Sequence, residues 1–592
     1  MIDPMTAARA VVDGALGGRM PSGPHGNGKV RLLIRPADPD LTSAELRDAL
    51  AASGRLYDRG MPVRLAHDHQ QGGAVAHPMT AEGVIREAHG CCRPFAIRRN
   101  KDGVVEADAA LPKGMAMMYL DMRGEWELPP LNGIASAPLL DEAGGIHAHQ
   151  GYDSGTGMWC ERVPLGLAAM VPDEPTSADA RNALAVLRRL LRTFAFADGL
   201  TTREEGQDVP VIDPTRTPGA DETAALAALL TAVCRPSLPL APGLLVRAAP
   251  LSGAGTGKGL LVRVLCAVAF GRAPAAVTAG GKQDELDKRI GAELMAGGPV
   301  LFLDNLNETA LRSDALASAI TERPARVRVL GTSLMVPLNA SAFIALTGNG
   351  LTVREDLARR FLSVELDAGV EDPEIRRFQG DILAEALDRR GTFLAAALTI
   401  WRWGRHLDAA GKLTAGLPLG SFAPWCRWVR DPLLMLECQD PAQRVSDAKS
   451  HDRKRQHVAE VFAIWHEAHR SSPMKAAELA SSVLHLLDPQ ERGRQYVVAA
   501  LERLEGTRAA GFVMTRQKAV GAWGAASYAV TQSASDPNSK GETELSNASR
   551  RENQRDHRDH RGRETPDAPY APCAFGEVET CEDEKGDWSS TL

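Results

Sequence analysis

The sequence predicts a multidomain α/β protein whose centre is a parallel sheet flanked by helices. Three observations carry this. Between residues 244 and 378, short apolar runs alternate with stretches of helical periodicity, the pattern of strand–helix–strand units. Within that stretch the apolar run Gly243–Ala249 leads into the glycine-rich segment Ser252-Gly253-Ala254-Gly255-Thr256-Gly257-Lys258-Gly259, and then into an apolar helix over Leu260–Phe270. Near Ser533 the composition turns from apolar to polar and charged, so packed structure is expected to stop there.

The 592 residues leave room for about three domains at ~150 residues each. Hydrophobic residues make up 44% and charged residues 24%, an ordinary balance for a globular chain with sizeable cores. The formal net charge of -7 excludes a globally basic nucleic-acid binder, so any such contact must come from a local patch. No apolar run reaches the ~18–20 residues that span a bilayer, and Met1–Met20 has no apolar core of a signal peptide. A cytoplasmic protein with no membrane partner is therefore expected. The nine cysteines include no CxxC pair and read as reduced thiols.

Six segments follow along the chain. Residues 1–170 carry short β-like runs (Val30–Ile34, Pro62–Ala66, Met115–Tyr119) between Gly, Pro and Asp turns, and read as an α+β accessory domain. Residues 171–243 show helical spacing over Ala180–Phe196 and Asp221–Cys234 and form a helical linker domain. Residues 244–378 are the α/β core, and 379–445 a tryptophan-rich helical lid. Residues 449–532 read as helix, helix, helix and hairpin, and 533–592 as a disordered polyampholyte tail.

The glycine-rich segment is where chemistry enters. A strand, a glycine turn, a lysine and a helix form the P-loop arrangement, in which backbone N–H groups and a helix N-terminus cradle phosphates. Gly253, Ala254, Gly255, Thr256, Gly257, Lys258 and Gly259 are the binding candidates, with Lys258 reaching the β and γ phosphates of a nucleotide, expected to be ATP. Two positions depart from the usual pattern. Ser252 stands for the first glycine, and Gly259 stands where a hydroxyl normally coordinates Mg²⁺.

The apolar strand Pro299–Asn305 ends in Asp304, placed to hold the waters of Mg²⁺ as a Walker B acid does. The next position, usually a glutamate base, is Asn305, which can orient water but cannot take its proton. A third apolar run, Ser341–Asn349, ends in Asn349, a candidate to bind the attacking water or the γ phosphate. Arg359 and Arg360 then end a short helix before the strand Leu362–Leu366, and either suits a finger reaching a neighbouring subunit's phosphate.

This order of motifs resembles the AAA+ P-loop ATPases, and within them superfamily 3 helicases and the helicase half of phage and plasmid primase-helicases. The segment Ala325–Leu338 alternates around Gly331-Thr332 as a β-hairpin does. The resemblance implies that Arg328 and Thr332 lie near DNA in the channel of a homohexameric ring. It covers about Leu128–Thr531, with its specific motifs in 244–366. It also implies replication of a plasmid, prophage or other mobile element, with a primase or replication initiator acting in trans. Residues 1–170 offer Asp121 without a second acid two positions away, so no primase chemistry is expected of them, and His67-Asp68-His69 reads as a polar turn.

The final folded segment, three helices and two strands, suits a winged helix. Arg494 and Gln495 at its third helix are placed to meet single- or double-stranded DNA. The leading function is an ATP-dependent DNA helicase or translocase. The alternative is an ATP-binding assembly switch with little hydrolysis, favoured by Gly259 and Asn305. A metabolic P-loop kinase is weaker, since it needs no terminal asparagine, hairpin or tail domain.

Overall fold

The computed structural model describes residues 28–532, apart from 69–71, 102, 205–208, 249–253, 279–282, 307–309, 330–333, 354, 445–452 and 518–525. The expected tail at 533–592, and with it Met1–Met20, lies outside the described residues. The chain divides into two compact units, Met1–Asp452 and Arg453–Leu592.

The first unit opens with β1 (Val30–Leu33), α1 (Pro39–Ala52), β2 (Leu56–Asp58), β3 (Pro62–Asp68), β4 (Gly73–Pro78), α2 (Ala81–Cys91), β5 (Cys92–Asn100), β6 (Gly103–Asp108) and α3 (Lys113–Asp121). β1 runs parallel to β5, β5 pairs antiparallel with β6, and β2, β3 and β4 form an antiparallel meander. The helices cover one face, where Leu32, Leu46, Leu50, Val84, Ala88 and Tyr119 share a core. The expected strand Met115–Tyr119 is instead part of α3. Met, Ala and Leu are good helix formers, and the buried positions Met115, Ala116 and Tyr119 repeat at helical spacing.

Then come α4 (Ser177–Leu191), α5 (Ala220–Cys234), β7 (Gly243–Ala248), α6 (Lys258–Phe270), β8 (Val277–Thr278), α7 (Gln283–Ala296), β9 (Val300–Asp304), α8 (Asp314–Thr321), the pair β10 (Ala325–Arg328) and β11 (Met335–Leu338), β12 (Phe343–Asn349) and β13 (Phe361–Glu365). α4 begins on a reciprocal cap, Thr176 with Asp179, and stops five residues before Phe196. Beyond it Phe194 and Phe196 turn into the core. α5 is buried on every side, which its nearly continuous apolar sequence permits.

Five strands form one fully parallel sheet in the order β8-β9-β12-β7-β13. Their continuous apolar runs suit a sheet covered on both faces. Helices α9 (Ile382–Asp388) and α10 (Arg390–Ala409) follow, and shorter helical turns at Ala423–Trp425 and Asp431–Met435 come after them. One apolar cluster runs from Leu140 to Cys438 and takes in the sheet, α4, α5 and α10. Trp401, Trp403, Trp425 and Trp428 belong to it: Trp401 and Trp428 have ring centroids 5.5 Å apart, and Trp425 Nε1 donates to Thr231 Oγ1 at 2.7 Å.

The second unit contains α11 (Arg453–His469), β14 (Met474–Lys475), α12 (Ser481–Leu487), α13 (Arg494–Leu504), β15 (Arg508–Ala509), β16 (Phe512–Gln517) and β17 (Ser527–Gln532). Its sheet order is β14-β17-β16-β15, all antiparallel. Phe462, Trp465, Leu501, Met514 and Val530 form its core. The helix expected over Met474–Leu486 starts only at Ser481, because Met474 pairs with Tyr528 as an edge strand. No helix among the described residues is long and apolar enough to cross a membrane.

Candidate nucleotide site

The site lies at the carboxyl ends of the parallel strands, where open α/β sheets place their ligands. Strand register brings the ends together: Ala248 at the end of β7 pairs with Asn349 at the end of β12, and Leu303, one residue before Asp304, pairs with Leu346. The loop after β7 is described from Ala254 onward, so Gly253 lies outside the described residues. Gly255 and Gly257 both take left-handed backbone, with φ of 68° and 95°. A side chain at Gly255 would also come within 2.7 Å of the Glu374 backbone nitrogen, so this turn requires glycine.

α6 starts at Lys258, which points the helix N-terminus and the lysine into a cavity of ≈ 500 Å³. Ala254, Gly255, Gly257, Gly259, Asp304, Asn305 and Asn349 line it with Lys258. The ordering in sequence thus becomes a cluster in space. Lys258 Nζ donates to Thr256 Oγ1 at 3.1 Å. Burial lowers its ammonium below the usual lysine value, while the Asp304 charge pulls in the opposite direction.

Both Asp304 oxygens are engaged. Oδ1 accepts a short hydrogen bond from Thr347 Oγ1, and Oδ2 lies 3.2 Å from Arg263 Nη2. Arg263 follows Gly259 by four residues, hence on the same face of α6, and its guanidinium sits 5.3 Å from the Phe302 ring centroid. Asn305 takes left-handed backbone at φ 64° and donates its N–H to Thr347 Oγ1 at 3.2 Å. Among the described residues lining the cavity, Asp304 is the sole carboxylate.

The chain offers a Mg²⁺ ion little direct coordination here. Such an ion wants oxygen ligands at ~2.0–2.1 Å, yet Gly259 offers no oxygen and the one carboxylate already faces a guanidinium. Among the described residues no group of three His, Cys, Asp or Glu side chains is placed to hold a metal. His67 and Asp68 belong to the β3–β4 hairpin rather than to a loop; His69 lies outside the described residues.

A second cavity, ≈ 460 Å³, abuts the first across Gly255, Gly257 and Leu260. Phe194, Arg189, Arg376 and Phe378 line it, and Arg376 lies 5.2 Å from the Phe378 ring centroid. None of these four, nor Arg263, stood out in the sequence. Only the i, i+4 spacing of Gly259 and Arg263 offered a signal.

The two arginines separate. Arg360 donates to Ala317 O at 2.8 Å and to Thr321 Oγ1 at 2.9 Å, inside its own unit. Arg359 is exposed. In the β10–β11 pair, Val327 and Val336 face inward and Arg328 outward, while Thr332 lies outside the described residues. In the second unit, Arg494 and Gln495 are exposed at the start of α13.

The chain is a mixed α/β protein of more than one compact unit, and its five-stranded parallel sheet is compatible with a P-loop core. No family model matches it, and no curated protein matches it. Among solved structures it is similar to the C-terminal region of NrS-1 in an apo form, at TM-score 0.27 and 13% identity over 56% of this chain and 83% of that one. It is also similar to SCCmec type IV Cch, described as an active helicase, at TM-score 0.28 and 9% identity over 79% and 93%. Likenesses this faint carry no functional weight.

Proposed function

We propose that the protein binds ATP at Gly253–Gly259 and works as an ATP-dependent DNA translocase or helicase. The observation that carries the nucleotide reading is the meeting of Lys258, Asp304 and Asn349 in one cavity beneath a left-handed glycine turn at the head of α6. In this reading the loop N–H groups and Lys258 hold the phosphates, and Asn349 orients the γ phosphate or the attacking water. The base lies in the adjoining cavity against Phe194 and Phe378. Arg359, the more exposed of the two arginines, reaches a neighbouring copy's phosphate.

The motor part of the proposal extends further. The copies assemble as a hexameric ring, the Ala325–Leu338 hairpin grips single-stranded DNA through Arg328 and Thr332, and residues 379–445 act as a lid. The second unit is a winged helix that meets DNA through Arg494 and Gln495, and the whole serves replication of a mobile element with a primase or initiator in trans. Phosphate release with and without single-stranded DNA, beside Lys258→Ala, tests it. DNA stimulation that Lys258→Ala abolishes supports the motor. Turnover that stays at the variant's level, with nucleotide still bound, removes it.

One observation favours a second reading, an ATP-occupancy switch with little hydrolysis. Among the described residues, the one carboxylate lining the cavity is engaged by Thr347 and Arg263, and Asn305 stands where a base would be.

A further inference from the structure

We propose that Arg263 is the resident cation of the phosphate site, and that nucleotide binds there through its guanidinium without a divalent ion. The proposal rests on the reading of Gly253–Gly259 as a nucleotide site.

A β-carbon added at Gly259 would lie 2.6 Å from Arg263 Nη1 and 3.2 Å from Asp304 Oδ2. A serine at 259 and the guanidinium in its present place therefore exclude each other. The same substitution that removes a metal-binding hydroxyl opens the space that Arg263 fills. Glycine and arginine act as a matched pair in place of a hydroxyl and an ion.

Two contacts hold Arg263 at that point, and it faces the cavity. Nη2 meets Asp304 at 3.2 Å, the planar group sits 5.3 Å from the Phe302 ring centroid, and the side chain lines the ≈ 500 Å³ cavity with Lys258. Asp304 is in turn anchored by Thr347. The guanidinium is thus aimed by a carboxylate and a ring, with donors left over for phosphate oxygens. Arginine suits this role because it stays charged, presents five donors in a fixed fork, and pairs with phosphate in bidentate fashion. Unlike a bound ion it cannot be removed by a chelator.

The experiment is ATP binding by the full chain, titrated calorimetrically in excess EDTA and again in Mg²⁺. The wild type is expected to bind with affinities within about threefold of each other. Arg263→Met is expected to weaken binding in EDTA by about 10- to 100-fold, the range for loss of a charged hydrogen-bonding group. Arg263→Lys keeps a charge, so retained binding there with a normal melting curve separates loss of the cation from misfolding. Arg263→Met/Asp304→Asn separates a lost phosphate contact from an unmasked carboxylate: it too is expected to bind weakly in EDTA. Gly259→Ser/Arg263→Met is expected to make binding depend on Mg²⁺.

Wild-type binding that collapses in EDTA but is tight in Mg²⁺ overturns the proposal and leaves the nucleotide site standing. So does Arg263→Met, alone or with Asp304→Asn, binding as tightly as wild type in EDTA. A wild type that binds ATP in neither condition overturns the nucleotide reading, and the proposal with it.

Discussion

The Lys258 ammonium donates to the Thr256 hydroxyl two residues earlier, at 3.1 Å, with only 8% of the lysine exposed. A largely buried ammonium that lines the cavity with the glycine turn is placed to meet phosphate charge there. Lys258→Met is therefore expected to abolish ATP binding without lowering the melting temperature of the unliganded protein. Calorimetric titration and a thermal melt check both halves.

A pH dependence follows from the same residue. Burial lowers the Lys258 value below the ordinary 10.5, with Asp304 opposing, so the unfolded chain holds this proton more tightly than the folded one. The difference costs stability at neutral pH and fades as pH rises through the interval below 10.5. Melts of wild type minus Lys258→Met at pH 7.5 and pH 10 should show the wild type gaining on the variant at the higher pH. Bound ATP should cancel that gain.

Arg360 and Arg359 should part company in the laboratory as they do in space. Arg360→Ala deletes the bonds to Ala317 O and Thr321 Oγ1, leaving Ala317 O its bond from the Thr321 hydroxyl, and is expected to cost about 1–3 kcal/mol of stability. Arg359→Ala should stay within about 0.5 kcal/mol of wild type, yet remove DNA-stimulated phosphate release. A purely structural Arg359 would leave that release intact.

Thr347 is buried and serves two neighbours, donating to Asp304 and accepting from the Asn305 N–H. Thr347→Val keeps the shape and deletes both bonds. A loss of about 1–3 kcal/mol in chemical denaturation is expected, whereas Thr347→Ser should retain most of the stability.

Trp465 is fully buried in the core of Arg453–Leu592. Trp465→Ala is expected to cost that unit about 3–5 kcal/mol while ATP binding by the first unit is unchanged. Two separate unfolding transitions should be seen, and only one should move.

Much of this was legible in the chain itself. β7, β9 and β12 are apolar runs, and β9 and β12 end in aspartate and asparagine, the pattern of a buried strand with a polar terminus. The inward turn of Val327 and Val336 follows the period of two that the sequence carries. What escaped were relations across distance. Phe194 and Phe378 line one cavity beside Gly255 and Gly257 although far apart in the chain. Arg263 looked like one more helix arginine, since only packing shows that Gly259 vacates its place. Met115–Tyr119 misled because a short apolar run has no period long enough to separate helix from strand.

The backbone of Asn305 has a consequence of its own. Its φ of 64° is a conformation asparagine accepts readily. A glutamate there meets a steric cost of about 1–2 kcal/mol, besides any effect on the Thr347 bond that its N–H makes. Glutamate does hold such backbone elsewhere in this chain, at Glu127, Glu437 and Glu491, with φ of 54°, 65° and 53°. Putting the missing base back is therefore open to a single exchange, but one that draws on stability as well as changing the side chain.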